Sequence, residues 1–180
     1  MVVLVIVVVV YWALNNLTHD TPNVAGSAVD YRSAVHDVQA ADAPLKVIYP
    51  TSLPQGWKAT SADYVPQSGL GTKPAWSLGA VTDHDSFVGL RLEAAPVASL
   101  VSTYIDKNAS SDGEKTLHTP LGDTWTTFSD RGGDTGYAME LGDYVLLVYG
   151  SADKADFTTF MQRLTRAELP TASASASAQS

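Results

Sequence analysis

The chain contains no cysteine. That removes disulfides, Cys-ligated zinc, iron–sulfur clusters and thiol nucleophiles together, and with them the acylated cysteine that tethers a bacterial lipoprotein. Positive charge is scarce as well: 11 Lys and Arg stand against 19 Asp and Glu, a net charge of −8. A nucleic-acid footprint needs clustered cations to neutralise phosphates, so no nucleic acid is expected as a partner. Local signatures of common chemistries are missing too. No Gly-x-Ser-x-Gly elbow sets a serine on a strained turn. The glycines of Gly69-Leu70-Gly71 and Gly132-Gly133 lack the Lys-Ser or Lys-Thr that closes a phosphate loop, and are read as turns.

What the chain does have is one long hydrophobic run. Residues 1–14 carry no charged side chain and are mostly valine. Fourteen residues of helix reach about 21 Å, and extension to Leu17 brings the run to about the lower limit for a ~30 Å hydrocarbon core. A secretory signal would want a basic start and a small-x-small cleavage site, and neither stands before Ala25-Gly26-Ser27-Ala28. A buried core segment is disfavoured, because nothing else in a chain this size covers an all-valine surface. Residues 1–17 are therefore read as an uncleaved transmembrane anchor with Tyr11 and Trp12 at the outer interface. The N-terminus is expected in the cytoplasm and the rest on the extracytoplasmic side of the cell membrane. The missing positive flank points to a start upstream of Met1.

Residues 18–43 read as a juxtamembrane linker, with a short helix expected near residues 30–41 on the stripe Tyr31, Val35, Val38. The globular part is expected over residues 44–169, long enough to bury a real core. Strands are expected at 45–49, 58–65, 76–81 and 87–92, and the five residues between the last two imply an antiparallel hairpin. Val97, Leu100, Val101, Tyr104 and Ile105 form a helical stripe, so a helix is expected over 97–109 behind Pro96. The β pattern returns at 123–129 and 136–141, and Gly142-Asp143 reads as a two-residue turn. Tyr144-Val145-Leu146-Leu147-Val148-Tyr149 is apolar on both faces, the mark of a central strand covered on both sides. A last helix is expected over about 153–169, with Ser151 as N-cap and Phe157, Phe160, Met161 and Leu164 on one face. Residues 170–180 are a Ser/Ala tail with nothing to bury, read as disordered. Six to eight strands with short links and two amphipathic helices give an α+β class, an α-β-α sandwich on a mainly antiparallel sheet.

The stretches Tyr49-Pro50-Thr51-Ser52-Leu53-Pro54-Gln55-Gly56-Trp57, Trp76-Ser77-Leu78-Gly79-Ala80-Val81-Thr82, Leu121-Gly122-Asp123-Thr124-Trp125 and Tyr149-Gly150-Ser151-Ala152, behind one apolar N-terminal segment, resemble an actinobacterial family of unknown function, DUF4245. The likeness covers most of the chain up to about Leu169. It implies a membrane-anchored domain and carries over no catalytic residues. Family members have a basic cytoplasmic stub ahead of the apolar segment, which this sequence lacks. The order of elements is also similar to that of Mog1/PsbP-like sandwiches, which serve mostly as non-catalytic accessory proteins.

Few constellations are candidates for chemistry. Asp83, His84 and Asp85, together with His118, make a metal or acid–base site if they converge. The same residues are what turn chemistry selects in a five-residue loop, and that plainer reading is preferred. Trp57, Trp76 and Trp125 either line a ligand cleft or fill the space between sheet and helices, the second being favoured. No metal, cofactor or catalytic residue is assigned. The expected function is a non-catalytic binding or accessory domain in the cell envelope, serving an envelope protein or a small ligand. The alternative is a metal-dependent or acid–base enzyme built on Asp83, His84, Asp85 and His118.

Overall fold

A computed structural model describes residues 28–67 and 73–170. The expected anchor, residues 1–17, and residues 18–27 and 171–180 lie outside the described residues. Among those described, no helix is long and apolar enough to cross a membrane. In chain order the elements are α1 (Tyr31–Ala40), β1 (Tyr49–Pro50), β2 (Lys58–Val65), β3 (Ala75–Val81), β4 (Phe87–Glu93), α2 (Val97–Tyr104), β5 (Ser110–Thr119), β6 (Gly122–Ser129), β7 (Thr135–Leu141), β8 (Tyr144–Gly150), α3 (Lys154–Met161) and β9 (Leu164–Thr165).

Two antiparallel meanders, β2-β3-β4 and β5-β6-β7-β8, join through β4 and β8 into one seven-stranded sheet of order β2-β3-β4-β8-β7-β6-β5. The all-apolar strand Tyr144–Gly150 is the middle of the seven. Its side chains alternate between two cores: Leu146 and Val148 face one, Val145 and Leu147 the other. At the β7–β8 turn Gly142 has φ +65°, a conformation glycine adopts without penalty.

The first face holds Trp76, Leu78, Val88, Leu90, Leu92, Trp125 and Leu146, covered by α1, α3 and the short β1–β9 pair. The second is covered, among the described residues, by α2 alone. That helix lies in the link between β4, near the middle of the sheet, and β5 at its edge, and it packs Leu100 and Val101 on Phe128, Ala138 and Leu147. The structure is thus α+β, with an antiparallel sheet between helices.

Several expectations are corrected. The helix near residues 30–41 belongs to the globular unit, since Val35 is fully buried and Tyr31 and Val38 pack in the same core. The unit therefore begins ahead of residue 44 and has three helices among the described residues. Asp30 caps α1, accepting from the backbone N–H of Arg32 and Ser33. Of the expected 45–49 strand only Tyr49 pairs, and with Pro50 it forms β1, whose partner is β9. The helix expected over 97–109 ends at Tyr104, where Asp106 takes the N–H of Asn108 into a turn. β5, over residues 110–119, was not expected at all. The last helix ends at Met161 rather than near residue 169, and its N-cap is Asp153, which accepts from Asp156 N at 2.8 Å. Ser151 is engaged elsewhere: its Oγ accepts the N–H of Phe87 at 3.1 Å.

Candidate functional site

The three candidate tryptophans all lie on the first face. Trp76 is fully buried in β3 and donates from Nε1 to the carbonyl of Ile48 at 2.8 Å. Trp125, fully buried in β6, donates to the carbonyl of Gly122 at 3.3 Å. Trp57, just ahead of β2, is stacked on Phe160 of α3, ring centroids 6.2 Å apart and planes 12° from parallel. The indoles fill the space between sheet and helices, and the two N–H groups that burial would strand are satisfied by backbone carbonyls.

The β3–β4 loop is organised by Thr82, which is buried. Its Oγ1 accepts the N–H groups of His84 and Ser86 at 3.2 and 3.1 Å, and Asp85 adopts φ +59°. Asp83 and His84 are 3.8 Å apart, and the His84 side chain is 80% exposed. The carbonyl of Phe87 accepts from the backbone of Ser151 and Ala152, tying this loop to the start of α3. Burial pushes the Asp156 carboxyl up, Asp153 and Asp83 push it further, and His84 opposes them. His84 therefore sits in an acidic setting at the N-terminal end of α3. His118 is elsewhere. It is exposed near the end of β5, 3.4 Å from Asp123, on a cleft of about 220 Å³ shared with Thr158, Met161 and Gln162 at the other end of α3. Among the described residues, no three His, Asp or Glu side chains are grouped to hold a metal ion.

The sequence pattern of the DUF4245 family, described as a protein of unknown function, matches residues 1–164. The chain belongs to that family. No curated protein matches it. The DUF4245 match takes in the apolar N-terminal run and closes in β9, so it spans every helix of the described domain.

This DUF4245 domain has a further cluster on its second face, at the C-terminal end of α2. Arg91 of β4 is 2.7 Å from Glu93 through Nε, and its guanidinium lies 5.5 Å from the ring centroid of Tyr104. Tyr104 meets Tyr149 at 5.2 Å, and Phe87 approaches Tyr149 edge-on at 6.0 Å. Two glycines facing each other across β3 and β4, Gly79 and Gly89, make room for these rings. A Cβ on Gly89 would lie 2.6 Å from Cζ of Tyr149 and 2.9 Å from Cε1 of Phe87. Burial, aided by Tyr104 and opposed by Arg91, pushes the Tyr149 phenol up to about 12, so it remains a donor at neutral pH. The cluster offers aromatic surface, a phenol and a guanidinium–carboxylate pair. Part of its signal lies in the sequence: in Phe87-Val88-Gly89-Leu90-Arg91-Leu92-Glu93 the apolar Val88, Leu90 and Leu92 alternate with Phe87, Gly89, Arg91 and Glu93, which puts the last four on one face.

Proposed function

We propose that this chain is a single-pass cell-envelope protein whose α+β domain stands on the extracytoplasmic side and binds an envelope protein or small ligand without catalysis. The observation that carries the reading is the uncharged apolar run of residues 1–14, set ahead of a polar chain of net charge −8 and included in the family match. The half-buried groups around Arg91, Glu93, Tyr104 and Tyr149 are suited to stacking and hydrogen bonding. An actinobacterial source and a kinship with Mog1/PsbP-like sandwiches belong to the same proposal; a sheet with helices on both faces supports the second.

Topology is the test. Full-length protein expressed in its host is expected to stay with membranes through carbonate extraction, and its domain to be digested by protease added to intact spheroplasts. Release of full-length protein by carbonate would sink the proposal. Protection from protease without release would reverse the orientation.

A further inference from the structure

The corner of the domain where the described chain begins carries two cations that, among the described residues, form no ion pair with a carboxylate. Arg32, in the first turn of α1, donates from Nη1 to the carbonyl of Thr51 at 2.8 Å. Arg163, just past α3, donates from Nη1 to Oγ of Ser52 at 2.9 Å. Thr51 also donates its N–H to the carbonyl of Arg163 at 2.8 Å, so both guanidinium groups flank a single turn. Neither takes part in the ion pairs formed among the described residues, and what sets the two apart is that both bind the same Thr51–Ser52 turn. Asp30, two residues ahead of Arg32, is engaged as the N-cap of α1. Each neutral contact uses one of the five N–H donors of a guanidinium and supplies no opposite charge.

Two further observations say what the corner meets. Val29, one of the two large hydrophobic residues exposed among those described, lies three residues ahead of Arg32 and is held in place by its N–H bond to the carbonyl of Ala59. The ten residues 18–27 that separate the corner from the apolar run span at most about 36 Å even when extended. An exposed valine three residues from a cation, tethered that close to a membrane segment, has the composition of an interfacial contact.

We infer that Arg32 and Arg163, with Val29, dock the domain on the anionic phosphate headgroups of the membrane that holds the apolar run. The inference rests on the anchor reading above. Each cation close to an anionic surface raises the occupancy of the docked state by roughly fivefold, an effect confined to about one Debye length. Docking at this corner turns the α1 side of the domain toward the bilayer and leaves the second face, with Arg91 and Tyr149, open.

A cysteine-free chain allows a direct test. Full-length Thr51→Cys, and Ser99→Cys on α2 as the distant control, carry a fluorophore and are reconstituted into phosphatidylcholine vesicles with or without phosphatidylglycerol. A headgroup-level quencher is expected to dim the probe at residue 51 several-fold more in the anionic vesicles, and the probe at residue 99 equally in both. The preference is expected to vanish in roughly 0.5 M salt and in Arg32→Gln/Arg163→Gln, and to persist in Arg32→Lys/Arg163→Lys. Equal quenching at residue 51 in both vesicle types, or full quenching in the Gln variant, overturns docking. So does displacement of the probe by inorganic phosphate at constant ionic strength, which would make the corner a site for the free ion. Protein that floats with neither vesicle type overturns the anchor, and docking with it; protein that floats with both but shows no preference overturns docking alone.

Discussion

The two faces of the sheet are built from the same strands yet solve different problems. On the first, large side chains from β3, β4, β6 and β8 meet α1 and α3 across a continuous core that includes Trp76, Trp125, Phe157 and Phe160. On the second, among the described residues, a single eight-residue helix packs Leu100 and Val101 on four buried sheet residues, and the rest of the surface is left to glycines, half-buried aromatics and the Arg91–Glu93 pair. Stability is concentrated on one side and accessible chemistry on the other. A rigid scaffold carrying a partly uncovered face is a common arrangement for recognition.

Consecutive leucines of β8 test that contrast most strongly, because both are fully buried and they point to opposite faces. Leu146→Ala is expected to cost about 4–5 kcal/mol and Leu147→Ala about 2–3 kcal/mol, read from urea midpoints. The thin layer formed by α2 can settle into a cavity, whereas the wide first core cannot. Equal losses would mean that the faces are packed alike. Next in size is Gly89→Ala, expected to cost about 1–3 kcal/mol by forcing the rings of Tyr149 and Phe87 aside. A near-UV circular dichroism change in the aromatic region should accompany it. A neutral outcome would show that the aromatic cluster is loose.

The rim of the sheet offers a charge test. In the loop before β7, burial and then Asp130 push the Asp134 carboxyl above its ordinary value. The folded state therefore holds this proton more tightly than the unfolded state, and its contribution to stability, present at acid pH, is lost as pH rises through the raised value. Asp134→Asn is expected to raise the melting temperature at neutral pH and to give no gain below the ordinary carboxylate range. A gain independent of pH would place its origin outside this titration. The smallest effect is expected from the double change His84→Ala, His118→Ala, within about 0.5 kcal/mol, because both side chains are exposed. Melting scans with and without EDTA check it, and a chelator-sensitive wild type would revive the metal reading.

Where burial is one-sided or complete, the sequence was readable. β8 declared itself as a covered central strand, and β3 and β4 as a hairpin. β5 escaped because Ser-Ser-Asp-Gly-Glu-Lys-Thr-Leu-His-Thr, almost wholly exposed at the sheet edge, has no buried side to impose a period. The last helix was overextended for the converse reason. Leu164 continues the stripe of Phe157, Phe160 and Met161 into the core, while the backbone beneath it has already become a strand. The cap at Ser151 was misread because its partner, Phe87, lies 64 residues away. The Arg91–Tyr149 cluster was half legible: alternation placed Arg91 and Glu93 together, but nothing local announced that Tyr104, arriving from α2, would close over them.

The contacts that hold α1 also impose an order on folding. Gln39 donates to the carbonyl of Ala167 and accepts from the N–H of Leu169, bonds that close loops of 128 and 130 residues. Tyr49 OH also donates to the carbonyl of Ala167, and β1 pairs with β9. The first helix of the domain to be synthesised thus waits for nearly the last residues before its seat is complete. Such distant closures slow folding. A nascent chain of this topology would therefore keep α1 and β1 unseated until residues 164–169 had emerged, however early those two elements were made.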